Sequence, residues 1–377
     1  MSRKTTTLRA VASVVALASC AALTLTACGS SDSSSSKDLV YFMQPNTTPT
    51  RYLQQDGPDF EAAMKKLDAN VEVRFANAGG SSATQLQQAN AAIAAGAKAL
   101  VVVAADANTS ASILQAAAAA NVPVIGYENP PLNGPMYAQV MFNPEMAGEL
   151  QAQYFAEQVN SGALGAKPVR VERIYGNKGD VYTNQMLTGQ NSVLQPLIDD
   201  GSIKVVCEDY AANWDPANAQ KATEQCLTRT QNGVDAILGF YDGITAGSIA
   251  AQQAANVKIP TYGGQNPELT GLQYMLTGQQ VDNVLKPFSL EAEAAAKLAL
   301  AAIRGEQPPA DMIKTTADVG GGNTVPTALL DEVYIHLEKG QDPGDIVQKA
   351  VDLGIFSWAD ICTGPAKDTA TCKQKVG

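Results

Sequence analysis

A regular alternation of short apolar runs with alanine-rich or amphipathic segments is the feature of this chain that most constrains its fold. It begins at Asp38, and each apolar run is only a few residues long. Short runs of this kind predict strands, whereas the longer segments between them predict helices. The run ALVVVAA (99–105) is continuously apolar and rich in β-branched residues, which is typical of a strand buried in a parallel sheet. The first part of the chain therefore predicts a doubly wound parallel α/β sheet.

The same alternation starts again at YAQVMFN (137–143). A long predicted helix follows, and the apolar runs VRVERIYG, IKVVCED and VDAILGFYD then alternate with further predicted helices. A chain of 377 residues with 45% hydrophobic content can bury two cores of ordinary size. We therefore predict the α/β class with two doubly wound, parallel-sheet lobes, which leave a cleft between them.

The first 27 residues have the layout of a secretory signal. Arg3, Lys4 and Arg9 make a positive start, and a mostly apolar segment (10–25) precedes small residues. A transmembrane anchor needs about 20 apolar residues, and this segment is shorter and interrupted by polar residues. The sequence therefore predicts an exported protein whose signal peptide spans residues 1–27.

The predicted signal peptide is followed by a cysteine and a serine-rich run. The residues LTAC, ending at Cys28, resemble the lipobox of bacterial lipoproteins, in which the cysteine receives diacylglycerol. A weaker match, LASC, ends at Cys20, and an ordinary cleaved signal is the alternative to lipidation. We prefer Cys28 because residues 28–37 then form a flexible tether. This interpretation predicts an extracytoplasmic protein that a lipid anchors to the cell membrane.

Four cysteines remain beyond the signal segment, and an even number in an exported chain favours disulfides. Of the three possible connectivities we prefer the two pairs that are near in sequence, Cys207 with Cys226 and Cys362 with Cys372. A zinc site is the rival interpretation, but the spacing fits no short CxxC motif and His336 is the only histidine. We therefore predict two disulfides and no metal.

The charge and the glycine-rich stretches argue against two other classes of protein. A formal net charge of -11 makes the chain a poor partner for nucleic acid. The stretches GGSS and GGGN lack the spacing of phosphate-binding loops, so turns explain their glycines better. We therefore predict neither nucleic-acid binding nor a cofactor.

Polar and aromatic residues cluster where the predicted strands end. In open α/β sheets, ligands bind beyond the carboxyl ends of the strands. Carboxylates, amides and flat rings together suit a hydroxyl-rich ligand, because the first two pair with hydroxyls and rings cover apolar sugar faces. The residues at these predicted strand ends are 44–52, Asp106, 127–129, 176–182, 213–215, Tyr241, Asp242, Gln265 and Asn266.

Eight stretches, in this order, resemble the xylose- and multi-sugar-binding branch of the type I periplasmic solute-binding proteins. They are TRYLQQDG, QLQQANAAIAAGAKALVVVAAD, VPVIGYEN, FNPEMAGELQAQ, SVLQPLIDDGSIKVV, WDPANAQ, VDAILGFYDGITAGSIAAQQ and GGQNPELTGLQYMLTGQQVDNVLKPF. The resemblance implies a protein that closes two lobes on a small sugar or polyol. It also implies delivery of that ligand to an ABC permease and its ATPase, without catalysis.

The resemblance implies roles for individual residues. Arg51 falls at a position that donates to a ligand hydroxyl, Tyr52 at a stacking ring, and Trp214 where an indole covers the sugar. Asp242 matches the aspartate of a Tyr-Asp-Gly, and Lys286 matches the lysine that follows the last strand of the first lobe. The predicted ligand-binding set is Arg51, Tyr52, Asp106, Glu128, Asn129, Asp180, Trp214, Asp242, Asn266 and Lys286.

Four short stretches depart from the family pattern. Residues 127–129 replace a Tyr-Asp-Arg, so that a guanidinium is missing. Residues 143–144 replace Asp-Asn, residues 265–266 replace Gln-Asp, and residues 181–182 replace Asn-Asn. These changes alter which hydroxyls the site reads, and they leave open whether the ligand is pentose-like, hexose-like, a polyol or not a monosaccharide.

The resemblance also implies that the chain crosses between the lobes three times. We expect crossings near 142–144, near 265–267 and after the helix that ends at Arg304. The predicted lobe 1 comprises 38–142 with about 268–306, and the predicted lobe 2 comprises 143–267 with about 307–361 and the C-terminal tail.

Simpler interpretations stand beside these. Trp214 suits a packing role, Asp242 suits a cap for the helix that follows it, and Arg51 and Lys286 suit surface charges. For the function, one alternative is a sensor component that presents the same ligand to a membrane receptor. Another is an exported sugar-acting enzyme, which would need paired carboxylates across the cleft.

Overall fold

The computed structural model describes residues 37–377. The predicted signal peptide, the lipidation site Cys28 and the tether up to residue 36 lie outside the described residues. Within the described part, none of the helices combines the length and the hydrophobicity needed to cross a membrane.

The first series of elements alternates strands and helices, as the sequence predicts. It comprises β1 (Asp38–Gln44), α1 (Gly57–Leu67), β2 (Val71–Asn77), α2 (Ser82–Ala94), β3 (Ala97–Val102), α3 (Ala111–Ala119), β4 (Val124–Tyr127) and β5 (Ala138–Phe142). A π-helical turn (Tyr52–Asp56) leads into α1.

The second series repeats the alternation. It comprises α4 (Pro144–Ser161), β6 (Val169–Tyr175), α5 (Val181–Asp199), β7 (Ile203–Tyr210), α6 (Pro216–Thr230), β8 (Ala236–Leu238), α7 (Asp242–Ala254), β9 (Thr261–Tyr262), β10 (Gly264–Gln265), α8 (Leu269–Leu276) and β11 (Asp282–Leu285). The remaining elements are α9 (Phe288–Ile303), β12 (Thr315–Asp318), β13 (Thr324–Leu330), β14 (Val333–His336), α10 (Pro343–Asp352), α11 (Trp358–Ile361) and α12 (Ala370–Val376).

Two of the long helices begin at Asx-Pro pairs. The side chain of Asn143 accepts from the backbone N–H groups of Glu145 and Met146 at the start of α4, and Asp215 accepts from Ala217 at the start of α6. These acceptors satisfy N–H groups that have no partner inside the helix. The proline that follows each cap has its φ already suited to the first helical position.

Lobe 1 is built on a seven-stranded sheet with the order β12-β13-β5-β4-β3-β1-β2. All neighbours are parallel except β12 and β13. Because side chains alternate along a strand, Phe42 joins the core under α1 and α9, whereas Met43 joins the core under α2 and α3. Helices thus cover both faces, as a doubly wound sheet requires.

Lobe 2 contains a four-stranded parallel sheet with the order β7-β6-β8-β9 and a three-stranded sheet with the order β10-β11-β14. Helices α4 and α5 pack so closely that a Cβ added at Gly148 or Gly189 would overlap the backbone of the other helix. A separate apolar cluster joins α8, β11 and β14 to the C-terminal helices and includes Leu272, Leu285 and Ile361.

The predicted second and third crossings are wrong in position. Strand β11 pairs with β10 and β14, and α8 packs in the C-terminal cluster, so the chain stays in lobe 2 until Leu285. Helix α9 then contributes to the lobe 1 core. Strand β13 pairs with β5, so residues 315–330 also belong to lobe 1, and the chain returns to lobe 2 between Leu330 and Val333. The first crossing falls after Phe142, where it was expected.

Both predicted disulfides are present. Cys207 on β7 is bonded to Cys226 on α6, with their Cα atoms 5.9 Å apart. Cys362, directly after α11, is bonded to Cys372 on α12, with a Cα separation of 5.2 Å. The first disulfide fastens a helix to the edge strand of the lobe 2 sheet, and the second fastens the C-terminal helix to the helical cluster.

Candidate ligand-binding cleft

A cleft lies between the two lobes, at the carboxyl ends of their parallel strands. In each sheet the first strand has neighbours on both sides, with β1 between β2 and β3 and β6 between β7 and β8. The chain connections on the two sides of this first strand therefore run in opposite directions. A crevice forms where they diverge, at the carboxyl end of the strand. The cleft encloses about 670 Å³, including its open mouth. Its lining residues include Pro45, Asn46, Pro49, Tyr52, Glu128 and Asn129 of lobe 1 and Asn177, Asp180, Tyr182, Asn213, Trp214 and Asn266 of lobe 2.

Six of the ten predicted binding residues line this cleft. Lobe 1 supplies Tyr52, Glu128 and Asn129, and lobe 2 supplies Asp180, Trp214 and Asn266. Each lobe therefore brings at least one aromatic ring together with carboxylate or amide groups.

Trp214 is held by contacts on several sides. Its Nε1 donates to Oδ2 of Asp180 at 3.2 Å, and its carbonyl accepts from the hydroxyl of Tyr241 at 2.6 Å. Its ring meets the ring of Tyr182 edge to face at a centroid distance of 6.2 Å. A Cβ at position 176 would overlap the indole, which explains the glycine found there. The indole is therefore a fixed, half-buried wall of the cleft.

Several cleft residues have left-handed backbone conformations. The φ angles of Glu128, Asn213, Trp214 and Asn266 lie between 52° and 57°. Among residues 37–377, Glu128 and Trp214 are the non-glycine residues of this kind that are neither asparagine nor glutamine. Asparagine tolerates this region better than other residues, whereas glutamate and tryptophan adopt it at a cost in free energy. Backbone strain is thus concentrated in the wall of the cleft.

Two acceptor atoms in the cleft wall are buried without a partner. Glu128 is 4% exposed and Asn266 is 7% exposed. Within residues 37–377, neither Oε2 of Glu128 nor Oδ1 of Asn266 has a hydrogen-bond partner. Buried acceptors of this kind are costly unless they are satisfied. They come from opposite lobes, so a ligand with two suitably placed hydroxyls can satisfy both at once.

The structure gives Arg51 a supporting position rather than the direct ligand contact that the sequence predicts. It is 2% exposed. Its Nε and Nη2 bind Asp56 at 2.8 and 2.7 Å, Nη1 donates to Glu128 at 3.0 Å, and Nη2 donates to Glu291 at 2.6 Å. Its guanidinium also lies 3.6 Å from the centroid of the Phe288 ring. It is not a surface charge either: Arg51 holds Glu128 in place from beneath the cleft.

The charges around Arg51 set the protonation of the two glutamates beside it. Burial opposes ionisation of Glu128, but Lys286 and Arg51 outweigh it and lower the pKa of this carboxyl. Burial and the negative charge of Glu128 raise the pKa of Glu291 well above its ordinary value. The cleft therefore presents Glu128 as an ionised acceptor.

Lys286 is likewise buried beneath the cleft and does not line it. It follows β11 at the second crossing, and this strand belongs to lobe 2 rather than to lobe 1 as predicted, because it pairs with β10 and β14. The Nζ of Lys286 lies 3.3 Å from Glu128 and 3.9 Å from Glu332. It also donates to the hydroxyl of Tyr182, which in turn donates to Oε1 of Gln265 at 3.2 Å. Glu332 lies at the third crossing, so this lysine joins two crossing segments to both walls of the cleft.

Asp242, like Arg51 and Lys286, is buried and does not line the cleft. Its Oδ1 accepts from Gln280 at 2.7 Å, both oxygens accept from Nδ2 of Asn283 at 2.8 and 2.9 Å, and Oδ2 accepts from the backbone N–H of Glu268 at 2.8 Å. It is fully buried. Asp242 therefore makes neither the predicted ligand contact nor the alternative cap for α7. Its hydrogen bonds connect the start of α7 to the segments around α8 and β11.

Asp106 lies at the edge of the site. It is exposed, and its Oδ1 accepts from the backbone N–H groups of Asn108 and Thr109. It lines a smaller cavity that shares Asn129 and Asp180 with the cleft. The structure therefore places Asp106 at the mouth of the cleft, apart from the residues deeper inside.

Four polar cleft residues were not in the predicted binding set: Asn46, Asn177, Tyr182 and Asn213. Each falls inside a polar strand-end segment that the sequence does mark. The sequence indicates that residues after a strand are near the ligand, but it does not indicate which side chains of that segment face the cleft.

The lining of the cleft is rich in acceptors. Of the residues that the structure describes, no lysine or arginine lines it, and no group of three His, Cys, Asp or Glu side chains is placed to hold a metal. Such a lining suits a neutral ligand that donates hydrogen bonds, whereas a phosphate or carboxylate would meet Glu128 and Asp180. Flat rings beside it suit apolar C–H faces.

The fold and the cleft define a two-lobed α/β protein that holds a small ligand between its lobes. Residues 40–307 match the family of the periplasmic binding protein domain, and the chain belongs to that family. Membership of this family places the protein outside the cytoplasm.

The relatives support the same assignment. The D-xylose-binding periplasmic protein of Escherichia coli is 29% identical over 293 residues, which cover 77% of this chain and 84% of that protein. The multiple sugar-binding periplasmic receptor ChvE of Rhizobium radiobacter is 26% identical over 317 residues, which cover 79% and 87%. The predicted family is thereby confirmed, and the chain is a solute-binding protein rather than an enzyme.

A solved structure confirms the predicted type I fold. The carbohydrate transporter solute-binding protein of Chloroflexus aurantiacus, in complex with D-glucose, is similar to this chain with a TM-score of 0.74 at 25% identity. The similarity covers 85% of this chain and 97% of that one.

Proposed function

We propose that this protein captures a small neutral sugar or polyol between its lobes and delivers it to an ABC import permease. Binding brings ligand contacts from both lobes, and these contacts shift the population toward the closed arrangement. The chemistry is recognition only: hydroxyls of the ligand donate to acceptors in the cleft, and the apolar face of the ligand covers the aromatic rings.

The observation that carries the proposal is the pair of unpartnered acceptors on opposite sides of the cleft, beside the ring of Trp214. Glu128 Oε2 and Asn266 Oδ1 are buried acceptors without partners among residues 37–377, and both residues line the same cleft as the indole. A hydroxyl-rich ligand supplies the missing donors, and its C–H face suits the ring.

The comparisons support the ligand class. The relatives named above are a D-xylose-binding protein and a multiple sugar-binding receptor, and the solved neighbour holds D-glucose. The departures from the family pattern lie in the cleft itself, at Glu128, Asn129, Tyr182 and Asn266. We therefore carry over the class of ligand and not the particular sugar.

Thermal unfolding in the presence of candidate ligands tests the proposal. D-Xylose, D-glucose, xylitol and myo-inositol are the neutral probes, and D-gluconate, which is similar in size but carries a carboxylate, is the charged control. A ligand at 100 times its dissociation constant stabilises the protein by about 2.7 kcal/mol. We expect at least one neutral probe to raise the melting temperature and D-gluconate to leave it unchanged. A shift with amino acids or nucleosides, and with none of the carbohydrates, contradicts the proposed ligand class.

We propose further that diacylglycerol on Cys28 anchors the protein to the membrane and that residues 28–37 connect it to the lobes. Growth of the expressing cells with labelled palmitate tests this. The full-length protein should carry label and sediment with membranes, whereas Cys28→Ser should lose the label and appear in the soluble fraction. Equal labelling of Cys28→Ser and loss of label in Cys20→Ser would move the attachment to Cys20.

Delivery to a permease is tested by transport. Cells that lack the gene should lose uptake of the ligand identified above, and the wild-type gene should restore it. Normal uptake in the deleted strain, together with a lost transcriptional response to the ligand, would favour a sensor instead.

A further inference from the structure

A second cavity adjoins the cleft and shares a wall with it. The shared residues are Glu128, Asn129 and Tyr182. The cavity encloses about 440 Å³ including its opening. We call it the side chamber; besides that wall it is bounded by residues that include Gln139, Met141 and Ala317.

The side chamber is formed by both lobes. Gln139 and Met141 lie on β5 and Ala317 on β12, in lobe 1, whereas Tyr182 and Gln185 lie on α5, in lobe 2. A group that fills the chamber therefore contacts both lobes. Like a ligand in the cleft, such a group shifts the population toward the closed arrangement, since contacts to both lobes favour that arrangement.

The chamber contains its own unpartnered acceptor. Gln139 is 2% exposed, and its Nε2 donates to Oγ1 of Thr327 at 2.9 Å. Its Oε1 has no hydrogen-bond partner within residues 37–377. Native proteins rarely leave a buried amide oxygen unsatisfied, so this atom calls for a donor in the chamber.

The rest of the lining is mostly apolar. Met141, Val181, Ala317 and Val319 contribute hydrocarbon surface. A small set of polar groups on an apolar background is the usual composition of a ligand pocket. This lining fits a second ring that has an apolar C–H face and a hydroxyl, and the carboxylates of Glu128 and Asp318 at its boundary disfavour an anionic group.

From the shared wall, the buried amide and the apolar lining, we propose that the site binds a sugar extended by a second unit, as in a disaccharide. One ring lies in the cleft beside Trp214, and the linkage passes the wall formed by Glu128, Asn129 and Tyr182. The second ring lies in the side chamber, where a hydroxyl donates to Gln139. This inference rests on the proposed function, because it assumes that the cleft holds the first ring.

Isothermal titration with matched pairs of probes tests the side chamber. The pairs are D-xylose with xylobiose, D-glucose with cellobiose, and D-glucose with maltose. In the wild-type protein we expect one disaccharide to bind at least about tenfold more tightly than its monosaccharide, a difference of about 1.4 kcal/mol.

Two variants fill the chamber from opposite lobes. Ala317→Leu and Gln185→Phe replace partly or fully exposed residues, so both should fold. Each should remove the gain for the disaccharide over its monosaccharide. The measure is the ratio of the two dissociation constants in the same variant, because any effect of the added side chain on lobe closure acts on both sugars alike. Thr316→Leu is the matched control, because the neighbouring side chain on a strand points to the opposite face; it should keep the gain.

The outcomes separate the two proposals. Equal or weaker binding of every disaccharide, with monosaccharide binding intact, overturns the side chamber and leaves the proposed function standing. A gain that persists in both filled variants also overturns it. If the wild-type protein binds neither monosaccharides nor disaccharides, the proposed function fails and this inference fails with it.

Discussion

The indole Nε1 of Trp214 donates to Oδ2 of Asp180 over 3.2 Å, and both side chains line the cleft. Oδ1 of the same carboxylate accepts from the backbone N–H of Tyr182 at the start of α5. Asp180 therefore connects the first turn of a helix to the ring that we expect to cover the ligand. Because both carboxylate oxygens already accept hydrogen bonds from the protein, we expect Asp180 to orient the indole.

Replacing Trp214 should weaken ligand binding. Trp214→Ala removes the aromatic wall, and we expect the dissociation constant to rise about 10- to 100-fold, which corresponds to about 1.4–2.7 kcal/mol. Asp180→Asn keeps an acceptor of the same shape and should have a smaller effect. Isothermal titration with the sugar found in the thermal screen measures both. Unchanged affinity in Trp214→Ala would return this residue to a packing role.

The chain offers a matched control for this prediction, because Trp358 is the other of its two tryptophans. Trp358 donates to Oε1 of Gln348 in the C-terminal helical region, away from the cleft. Trp358→Phe should therefore bind ligand normally and should show a ligand-dependent change in its remaining tryptophan fluorescence. Trp214→Phe should lose that change.

Removing Lys286 should destabilise the protein by about 3–5 kcal/mol, because Lys286→Met removes the cation beside two buried carboxylates. Those carboxylates are Glu128 and Glu332, at 3.3 and 3.9 Å from Nζ. Glu128 keeps Arg51 as a partner, whereas Glu332 loses the cation that it pairs with. Burial raises the pKa of Glu332 to about 7 even with the lysine present. Urea unfolding at pH 8 measures the loss.

Two further variants show whether this loss comes from buried charge. Adding Glu332→Gln to Lys286→Met should recover part of the stability, since it removes the carboxylate that has lost its cation. Lys297→Met breaks an exposed pair with Glu293 and should cost less than about 1 kcal/mol. Equal losses in Lys286→Met and Lys297→Met would contradict a buried charge cluster at the crossings.

Asp242→Ala should destabilise the protein without changing which sugar it prefers. The substitution leaves the donors of Gln280, Asn283 and Glu268 buried without an acceptor, at about 1–3 kcal/mol for each unsatisfied group. Chemical unfolding measures the loss, and the order of dissociation constants over the sugar panel measures the preference. The exposed Asp311, replaced by Ala, is the control. A changed preference with normal stability would restore the ligand contact that the sequence predicts.

The sequence predicts the part of the fold that depends on local pattern. Apolar runs and periodic segments locate the strands and helices of both lobes, and strand ends locate the cleft. Edge strands carry weaker patterns: β12 reads TTAD, and only its pairing with β13, which pairs with β5, assigns it to lobe 1. Such pairing is a long-range contact, and spacing along the chain does not reveal it.

Individual site residues were harder to predict for a related reason. Arg51 and Asp242 follow strands, as ligand-binding residues do, but their partners come from distant segments. Glu291 lies 240 residues from Arg51, and Asn283 lies 41 residues from Asp242. A polar residue at a strand end is expected to face the ligand unless a distant partner buries it, and that partner becomes visible only in the folded protein.

The buried carboxyl of Glu172 should make stability depend on pH. This residue lies on β6 and is 1% exposed. Burial raises its pKa from 4.5 to about 7, against smaller opposing effects of Thr223 and Arg229. The folded protein therefore opposes ionisation of this carboxyl. The contribution of Glu172 to the free energy of unfolding is fully present below about pH 4.5, where the carboxyl is neutral, and is lost as the pH rises through 7. The loss amounts to about 3 kcal/mol.

Glu172→Gln keeps the shape of the side chain and cannot ionise, so it should remove this dependence. We expect the free energy of unfolding of the variant, relative to wild type, to rise by up to about 3 kcal/mol between pH 5 and pH 8. Urea unfolding at the two pH values measures the difference, and Glu61→Gln, at an exposed position, should show almost none. A constant difference between Glu172→Gln and wild type across this range would mean that Glu172 is already ionised at pH 5, and that its surroundings offset the cost of burying the charge.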